Sequence, residues 1–376
     1  MLYSLRYLLS PITLLIAIVS ILQGSYYPFI FLLLFDILFI AGDVLLGDDN
    51  HVLENPSPFI LNAALYINFP LLFIFVFLLV SVMGSASPIW IVDAWKNYLN
   101  IDIISIKNSM TFIDKCSIML IAPLFIGAIG TNAGHELTHR KKNKFDMFVG
   151  NWLLALSWDC AFAIEHVYGH HKNVGFKEDP ATAKRGENIY LYILKSIKNS
   201  HADAWKIELS HIRRRKGSVF GFENKMLRGY MRSLTLTLLS YYIGGVTGLA
   251  FFICSSFIGK CILKAIDFIE HYGLVRVKGQ PVLPKHSWNS NTLVSCLFTF
   301  NLPRHSSHHE KANLKYWELK PYKDAPKLPF GYLATLYIAL FLPFVYKRVI
   351  KKKLIDWDQN FATSEERELL ATYSQY

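Results

Sequence analysis

The sequence predicts an all-α fold, an integral membrane bundle of about six helices, on two observations. First, 52% of the 376 residues are apolar and 18% are charged, and the apolar residues form long blocks with the charged residues concentrated between them. Soluble domains usually contain about 25% charged residues, and a helix needs about 20 mostly apolar residues to cross a bilayer. Second, histidines between the blocks recur at intervals of three and four residues, which is typical of helices.

Six apolar blocks approach the length of a membrane span. They are residues 8–22, 27–46, 67–83, 117–131, 234–258 and 330–346. A further block at 148–164 is short enough for a re-entrant or shorter helix. We expect the first block to be retained rather than cleaved as a signal peptide, because no small-residue cleavage site follows it.

Basic residues outnumber acidic ones, giving a net charge of +11. In a soluble protein this charge would suggest a nucleic acid partner. Here the basic residues cluster beside apolar blocks, at 140–142, 213–216 and 347–353, so we expect membrane lipid and no nucleic acid. The positive-inside rule places these segments in the cytoplasm and predicts a multi-pass protein of the cell inner membrane. The runs could set the topology beside anionic lipid or dock an acidic protein.

We expect a single domain spanning residues 1–376. Residues 1–133 would be mainly a transmembrane anchor, and residues 134–329 would hold the histidine-rich region. Residues 330–376 would form the last span and a polar cytoplasmic tail. Within that tail, Glu365 and Glu366 follow Ser364 and predict the first turn of a short amphipathic helix.

Three histidine clusters stand out: GHELTH at 134–139, EHVYGHH at 165–171 and RHSSHHE at 304–310. A single histidine lies in EHYGL at 270–274. Residues three or four apart lie on one helix face, so each cluster can present two or three imidazoles in one direction. The candidate metal ligands are His135, His139, His166, His170, His171, His271, His305, His308 and His309.

Nine imidazoles imply two metal ions, since one ion rarely takes more than about six ligands. Imidazole suits zinc, copper, iron and nickel. A structural zinc site often uses thiolates, yet none of the cysteines lies near a cluster, and we expect them to be buried free thiols. Two redox-active irons fit the ligand number. Histidines that are simply packed and hydrogen-bonded in apolar helices, without a metal, are a poor explanation for three clusters with helical spacing. They are a better explanation for His271, which stands alone. The remaining histidines outside the clusters are predicted to be surface or supporting residues: His51, His201, His211 and His286.

Acids and amides accompany the clusters. Metal-bound histidines usually donate their other N–H to a carboxylate or carbonyl. We therefore predict that the ligands are oriented by Glu136, Glu165, Asp179, Glu270, Asn289, Asn291 and Glu310. Alternatively, Glu165 could bind a metal itself, and Glu136 and Glu310 could belong to solvated helix faces.

With these motifs the sequence resembles the membrane-bound alkane hydroxylase and xylene monooxygenase group of the fatty-acid desaturase-like superfamily. The three clusters are typical of the superfamily, and EHYGL at 270–274 looks like the additional motif of hydrocarbon hydroxylases. HSWNSN at 286–291 is similar to the alkane hydroxylases, whereas YWELKP at 316–321 is closer to the xylene enzyme. The resemblance covers nearly the whole chain, most firmly from about residue 130 to residue 360.

The resemblance implies a non-haem di-iron monooxygenase that hydroxylates a hydrophobic hydrocarbon with O2, first of all the terminal methyl group of an alkane. It implies that the nine histidines bind two irons on the cytoplasmic side, with no other catalytic residue, and that rubredoxin or ferredoxin with its reductase supplies electrons. Aromatic methyl hydroxylation and fatty-acyl desaturation or hydroxylation are the alternatives. A histidine-rich metal transporter is disfavoured, because it would place ionisable residues along a path inside the spans.

Overall fold

The computed structural model describes residues 2–373, and these residues fold into helices joined by turns and loops. Within that range, β-pairing is confined to two isolated bridges, Asp48 with Thr292 and Asn289 with Lys327. The predicted all-α class is therefore confirmed. Five helices are long and apolar enough to cross a membrane: Tyr3–Gln23, Tyr27–Leu46, Pro58–Met83, Phe112–His139 and Lys225–His271.

The other helices that follow in the described chain are shorter or more polar. They are Ile89–Leu99, Ile103–Ser109, Lys144–Ala155, Phe162–Glu165, His166–His170, His171–Asn173, Ile189–Arg214, Pro284–His286, Leu293–Phe298, His305–Glu310, Tyr316–Glu318, Tyr332–Phe341, Pro343–Asn360 and Ser364–Tyr373. The helix expected in the tail is therefore present. The chain divides into two compact units, and the expectation of one domain stays a prediction.

The first unit comprises the chain up to Leu38 together with Pro56–Cys160 and Leu227–Ile262. Its core contains Phe125, whose ring centroid lies 5.5 Å from that of Phe35 and 5.6 Å from that of Phe75. Aromatic rings at these separations pack edge-to-face or tilted and add to the apolar area that they bury. The predicted block 117–131 lies in this core, in the helix Phe112–His139.

A sharp reversal at Gly245 interrupts the helix Lys225–His271. Gly245 has φ 65° and ψ −157°, a backbone conformation that is essentially restricted to glycine. The carbonyl oxygen of Ser240 lies 3.2 Å from where a Cβ on Gly248 would be. Residues eight apart on a straight helix are separated by about 12 Å, so the chain folds back on itself here. The predicted block 234–258 is consequently a hairpin and not one straight span.

The second difference concerns the predicted last span, residues 330–346. The structure places a ten-residue helix there, Tyr332–Phe341, followed by a separate helix, Pro343–Asn360. Leu342 separates them, because the residue before a proline disfavours the helical conformation. Ten helical residues cover about 15 Å, about half of the hydrocarbon thickness.

The second unit comprises Phe39–Asn55, Ala161–Met226 and the chain from Leu263 onward. Two buried charged side chains tie its first segment to the region before the third histidine cluster. Asp43 accepts a hydrogen bond of 2.9 Å from the backbone N–H of Ser295, near the start of the helix Leu293–Phe298. Arg304 donates to the backbone oxygens of Asp49 and Leu319, both at 2.9 Å. These bonds fix the residue immediately before His305.

Replacing Gly245 with alanine should destabilise the first unit, because alanine cannot adopt this backbone conformation without strain. We expect Gly245→Ala to lower the free energy of unfolding by about 1–3 kcal/mol. The thermal unfolding midpoint in detergent micelles measures the effect. Val246→Ala is the matched control, since Val246 is the next residue and is 67% exposed. Equal midpoints for the two variants would contradict the reversal at Gly245.

Candidate metal centre

In the first unit, His135 and His139 lie on the helix Asn132–His139. Their Nε2 atoms are 3.1 Å apart, as expected for residues four apart on one helix face. This helix packs closely on Lys144–Ala155, since a Cβ on Gly134 would lie 3.1 Å from the carbonyl oxygen of Gly150. The first unit therefore presents one pair of imidazoles.

The predicted carboxylate of this cluster, Glu136, forms an ion pair with Arg140 at 2.7 Å. Arg140 also donates to Oδ1 of Asn62 at 2.7 Å, and Asp146 lies 3.7 Å from it. Both acids are buried. The structure thus gives Glu136 a part in a buried network that fixes the end of the histidine-bearing helix.

The second unit brings seven histidines into two groups. The first group contains His166, His171 and His308, and the second contains His170, His271, His305 and His309. Within each group the candidate ligand atoms lie within 4.8 Å of one another. The groups are neighbours, since the ring centroids of His171 and His309 are 4.5 Å apart.

The separations between nitrogens fit metal coordination. Nε2 of His305 lies 3.0 Å from Nε2 of His271 and 2.9 Å from Nε2 of His309. In the other group, the Nε2 atoms of His166 and His171 are 3.0 Å apart. Metal–imidazole bonds of about 2.1 Å place adjacent nitrogens of an octahedral ion about 3.0 Å apart. Each group can therefore hold one ion.

The second cluster pairs its histidines differently from the prediction. A helical spacing of four residues predicts that His166 and His170 face the same way, with His171 slightly off that line. The structure instead contains a π-helical turn at His166–His170, which widens the turn and brings His166 beside His171. His170 joins the other group as a result. Such π turns occur frequently at functional sites.

Two carboxylates hold imidazoles of the second group from behind. Nδ1 of His170 donates to Oδ2 of Asp179 at 2.9 Å, and Nδ1 of His305 lies 3.1 Å from Oε1 of Glu270. These contacts leave Nε2 of each ring for a metal, which is the usual arrangement behind metal-bound histidines. Asp179 itself accepts a hydrogen bond of 2.5 Å from the hydroxyl of Thr182.

Tyr332 is a site residue that the sequence does not reveal. Its hydroxyl donates to Oε1 of Glu270, the same atom that faces His305. The sequence places Tyr332 in an apolar block 62 residues from Glu270, so no spacing pattern connects the two. From the sequence alone, Tyr332 is predicted only to belong to a membrane span.

The other predicted supporting residues have varied surroundings. Glu165 is buried, and burial raises its pKa. Asn289 is buried, donates to Oδ1 of Asn291 at 3.0 Å, and accepts from the backbone N–H of Ser306 at 3.4 Å. Glu310 is exposed and accepts from the hydroxyl of Tyr322, which agrees with the solvated alternative. Their predicted role in orienting ligands stays a prediction.

His286, predicted to be a surface or supporting residue, is buried and bonded to the C-terminal helix. Its Nε2 lies 2.8 Å from Oε1 of Glu366, and Lys285 donates to the other oxygen at 2.6 Å. Burial raises the pKa of Glu366, but these bonds outweigh it and lower the pKa to about 2. Two residues later, the backbone N–H of Trp288 donates to the carbonyl oxygen of Glu270 at 2.8 Å. This segment braces the chain next to His271.

Burial also sets the protonation of the histidines. It lowers the pKa of His308 to about 3 and that of His309 well below its ordinary value. Both rings are therefore neutral near pH 7, the form that binds a metal ion.

Among the cysteines, which are all free, Cys160 and Cys296 are buried as expected, whereas Cys116 is exposed. The donor set is imidazole backed by carboxylate, which fits ions of the iron-to-zinc series.

A family model described as fatty acid desaturase matches residues 116–346, which is more than half of the chain and includes all nine candidate ligands. The chain belongs to the fatty acid desaturase family. Its resemblance to the hydrocarbon hydroxylases within the wider superfamily is tested by the individual relatives.

The curated relatives of this chain are named either alkane 1-monooxygenase or xylene/toluene monooxygenase hydroxylase component. Alkane 1-monooxygenase 1 of Pseudomonas aeruginosa is 34% identical over 255 residues, 66% of this chain and 65% of its own. Alkane 1-monooxygenase of Ectopseudomonas oleovorans is 35% identical over 237 residues, 62% and 59% of the two chains. The xylene/toluene monooxygenase hydroxylase component of Pseudomonas putida is 33% identical over 235 residues, 62% and 63%. The predicted resemblance is confirmed, although the matches span just under two thirds of these relatives' lengths.

Removing the charge behind His170 should weaken metal binding. We expect Asp179→Asn to lower iron affinity about 10–100-fold, the usual effect of losing a carboxylate behind a metal-bound histidine. Iron per chain after dialysis against a graded chelator, measured by mass spectrometry, gives the affinity. Glu178→Gln is the matched control, because Glu178 is the preceding residue and forms an exposed ion pair with Lys278. Iron retention equal to that of the control would contradict the assigned contact.

The hydroxyl of Tyr332 should contribute less than the carboxylate that it holds. Tyr332→Phe removes one hydrogen bond to Glu270 and leaves the ring in place, so we expect iron affinity to fall about threefold to tenfold. The same chelator competition measures this change. Tyr337→Phe, a change on the same helix that keeps the ring contact with Phe341, should behave as wild type. A Tyr332→Phe protein with wild-type affinity would show that Glu270 needs no such donor.

Proposed function

We propose that this protein is an iron-dependent monooxygenase that hydroxylates a hydrophobic hydrocarbon, with the terminal methyl group of an alkane as the first substrate to test. The observation that carries the proposal is the pair of adjacent histidine groups in the second unit, in a chain related to proteins named alkane 1-monooxygenase. The overall reaction converts the hydrocarbon, O2, two electrons and two protons into an alcohol and water.

The proposed cofactor is a pair of iron ions. The seven histidines of the second unit would be completed by His135 and His139, which supply the remaining two imidazoles. Bound iron would supply the redox chemistry that activates O2. The chain's own contribution is to hold imidazoles in fixed orientations, through Asp179 behind His170 and Glu270 behind His305.

Burial supports this assignment. The four histidines of the second group are each at most 4% exposed. A site closed to bulk water protects an oxidising centre from side reactions and strengthens its electrostatic interactions. Long apolar helices would keep the protein in a bilayer, into which hydrocarbons partition. We propose the inner membrane, with the basic runs and the histidines on the cytoplasmic side.

The electron source belongs to the proposal as well. Hydroxylation consumes two electrons for each O2, and histidine side chains do not supply them. Rubredoxin or ferredoxin, with the corresponding reductase, would deliver the electrons one at a time. The relative named as a xylene/toluene monooxygenase component supports aromatic methyl groups as the second substrate class.

Product analysis tests the proposal. The protein is expressed in membranes with rubredoxin and its reductase and given a medium-chain alkane, a xylene and a labelled fatty acid together. We expect a 1-alkanol, reduced about 100-fold or more in His305→Ala, because His305 faces both His271 and His309. His51→Ala is the control, since His51 is exposed and lies outside the clusters. Mass spectrometry identifies the products.

Each other outcome points elsewhere. A benzylic alcohol as the main product would select the aromatic branch. A new double bond in the fatty acid, with no hydrocarbon oxidised, would overturn the hydroxylase assignment in favour of a desaturase. A purified protein that keeps no iron and forms no product would contradict the proposal altogether.

A further inference from the structure

The second unit contains a cleft of about 500 Å³ between the loop after the second histidine cluster and the turn after His271. Its rim carries four basic side chains, Lys177, Lys184, Arg185 and Lys195. We propose that this basic cleft is where an acidic one-electron carrier protein docks and passes electrons toward the iron ions that the histidine groups would hold. The inference rests on the proposed function, since the proposed hydroxylation takes two electrons from outside the protein.

The cleft is positively charged where a partner would reach it. Lys177, Lys184 and Lys195 are exposed. Glu187 forms an ion pair with Lys195 at 3.0 Å, and Asp358 forms one with Arg185 at 2.6 Å, so these acids offset two of the four charges. At the edge, Lys347 donates to the carbonyl oxygen of Gly186 at 3.2 Å and adds another cation. Complementary charge on an acidic carrier would speed encounter and fix its orientation.

A short bonded route joins the cleft to one histidine. Thr182 lines the cleft, and its hydroxyl donates to Asp179 at 2.5 Å. The same oxygen of Asp179 accepts from Nδ1 of His170 at 2.9 Å. A single carboxylate therefore separates the cleft wall from a proposed iron ligand, through two short hydrogen bonds.

A second route joins the cleft to His271. The backbone N–H of Gly273, two residues later, donates to the carbonyl oxygen of Ala183 at 2.8 Å, and Arg185 donates to the carbonyl oxygen of Gly273 at 2.9 Å. Gly273 has φ +73°, and a Cβ there would lie 2.8 Å from the side chain of Arg185. The close approach therefore requires glycine. Both routes end in the same histidine group, which places electron entry at this cleft.

A second basic surface of this unit lies at residues 213–216. Residues 213–216 adjoin a pocket of about 340 Å³ that Tyr168, His211 and Arg214 line. There the ring of Tyr168 packs against His211 at 5.1 Å and Lys225 at 5.6 Å. Tyr168 itself lies between the candidate ligands His166 and His170, so residues 213–216 are the alternative docking surface that the experiment tests. Since residues 213–216 are also exposed and basic, they provide a control of equal charge.

Charge reversal with direct binding tests the proposal. The iron-loaded protein is placed in nanodiscs of zwitterionic lipid, and the affinity of oxidised rubredoxin is measured by biolayer interferometry at low ionic strength. We expect the double variant Lys184→Glu/Lys195→Glu to raise the Kd about tenfold or more, and salt to weaken wild-type binding. The control Arg213→Glu/Arg214→Glu has the same change in charge and should stay within about twofold of wild type.

Turnover in the same samples separates the two proposals. The cleft variant should need more rubredoxin for half-maximal rate, while its iron content and any peroxide-driven product formation stay at the wild-type level. Wild-type rubredoxin affinity in the cleft variant, or a larger loss in the control, overturns the cleft as the docking site. If wild type forms no product with either rubredoxin or peroxide, the proposed function fails. The docking site is judged separately, from the rubredoxin affinities of the variants.

Discussion

The fold of the second unit depends on one electrostatic constraint, the convergence of imidazole nitrogens. Four Nε2 atoms of the second group come within 4.8 Å of one another, with nearest separations of about 3 Å. Neutral imidazoles expose a lone pair at one nitrogen, and lone pairs facing each other at this distance repel. A cation between them turns repulsion into coordination, which is why metal binding in such sites is coupled to folding. The carboxylate of Asp179 accepts from Nδ1 of His170 and so selects the tautomer whose Nε2 lone pair faces inward, and Glu270 lies 3.1 Å behind Nδ1 of His305.

Three local backbone features satisfy this constraint. The π-helical turn at His166–His170 distributes neighbouring histidines of one cluster between the two groups. The six-residue helix His305–Glu310 does the same, because His308 joins one group and His305 and His309 join the other. His271 is the last residue of a long helix, where the turn at Gly273 lets the next segment pass close by. Each ligand is thus placed by a helix end or an irregular turn, where adjacent side chains can point in different directions.

The candidate ligands were largely predictable from sequence, whereas their grouping was not. Regular spacing found eight of the nine candidate histidines, because intervals of three and four residues are visible in any linear reading, whereas His271 is a single histidine without such a spacing. The same rule paired His166 with His170 wrongly, since it assumes an α-helical period through a segment that is π-helical. Contacts between distant residues were also invisible. Glu366 lies 80 residues from His286, and Tyr332 lies 62 residues from Glu270.

For the membrane spans, too, the sequence located the apolar blocks but not the breaks within them. Hydropathy located the apolar blocks, since composition alone decides which segments avoid water. It did not locate the reversal at Gly245, which depends on one backbone conformation within an otherwise uniform block. Nor did it find that residues 330–346 divide before Pro343, although the proline itself was a readable signal.

In His170 and His305 the two ring nitrogens have different surroundings. Nε2 faces the group of histidines, where a metal and a substrate would meet, and Nδ1 faces a carboxylate of the surrounding protein. For His170 that carboxylate also leads through Thr182 to the basic cleft. Asp179 therefore contacts both His170 and Thr182, and its loss would disturb both metal affinity and the route to the surface. Lys184 and Lys195 line the basic cleft and belong to neither bonded route. Residues that would hold a metal can thus be separated from residues that would receive an electron carrier, because only the former touch the imidazoles.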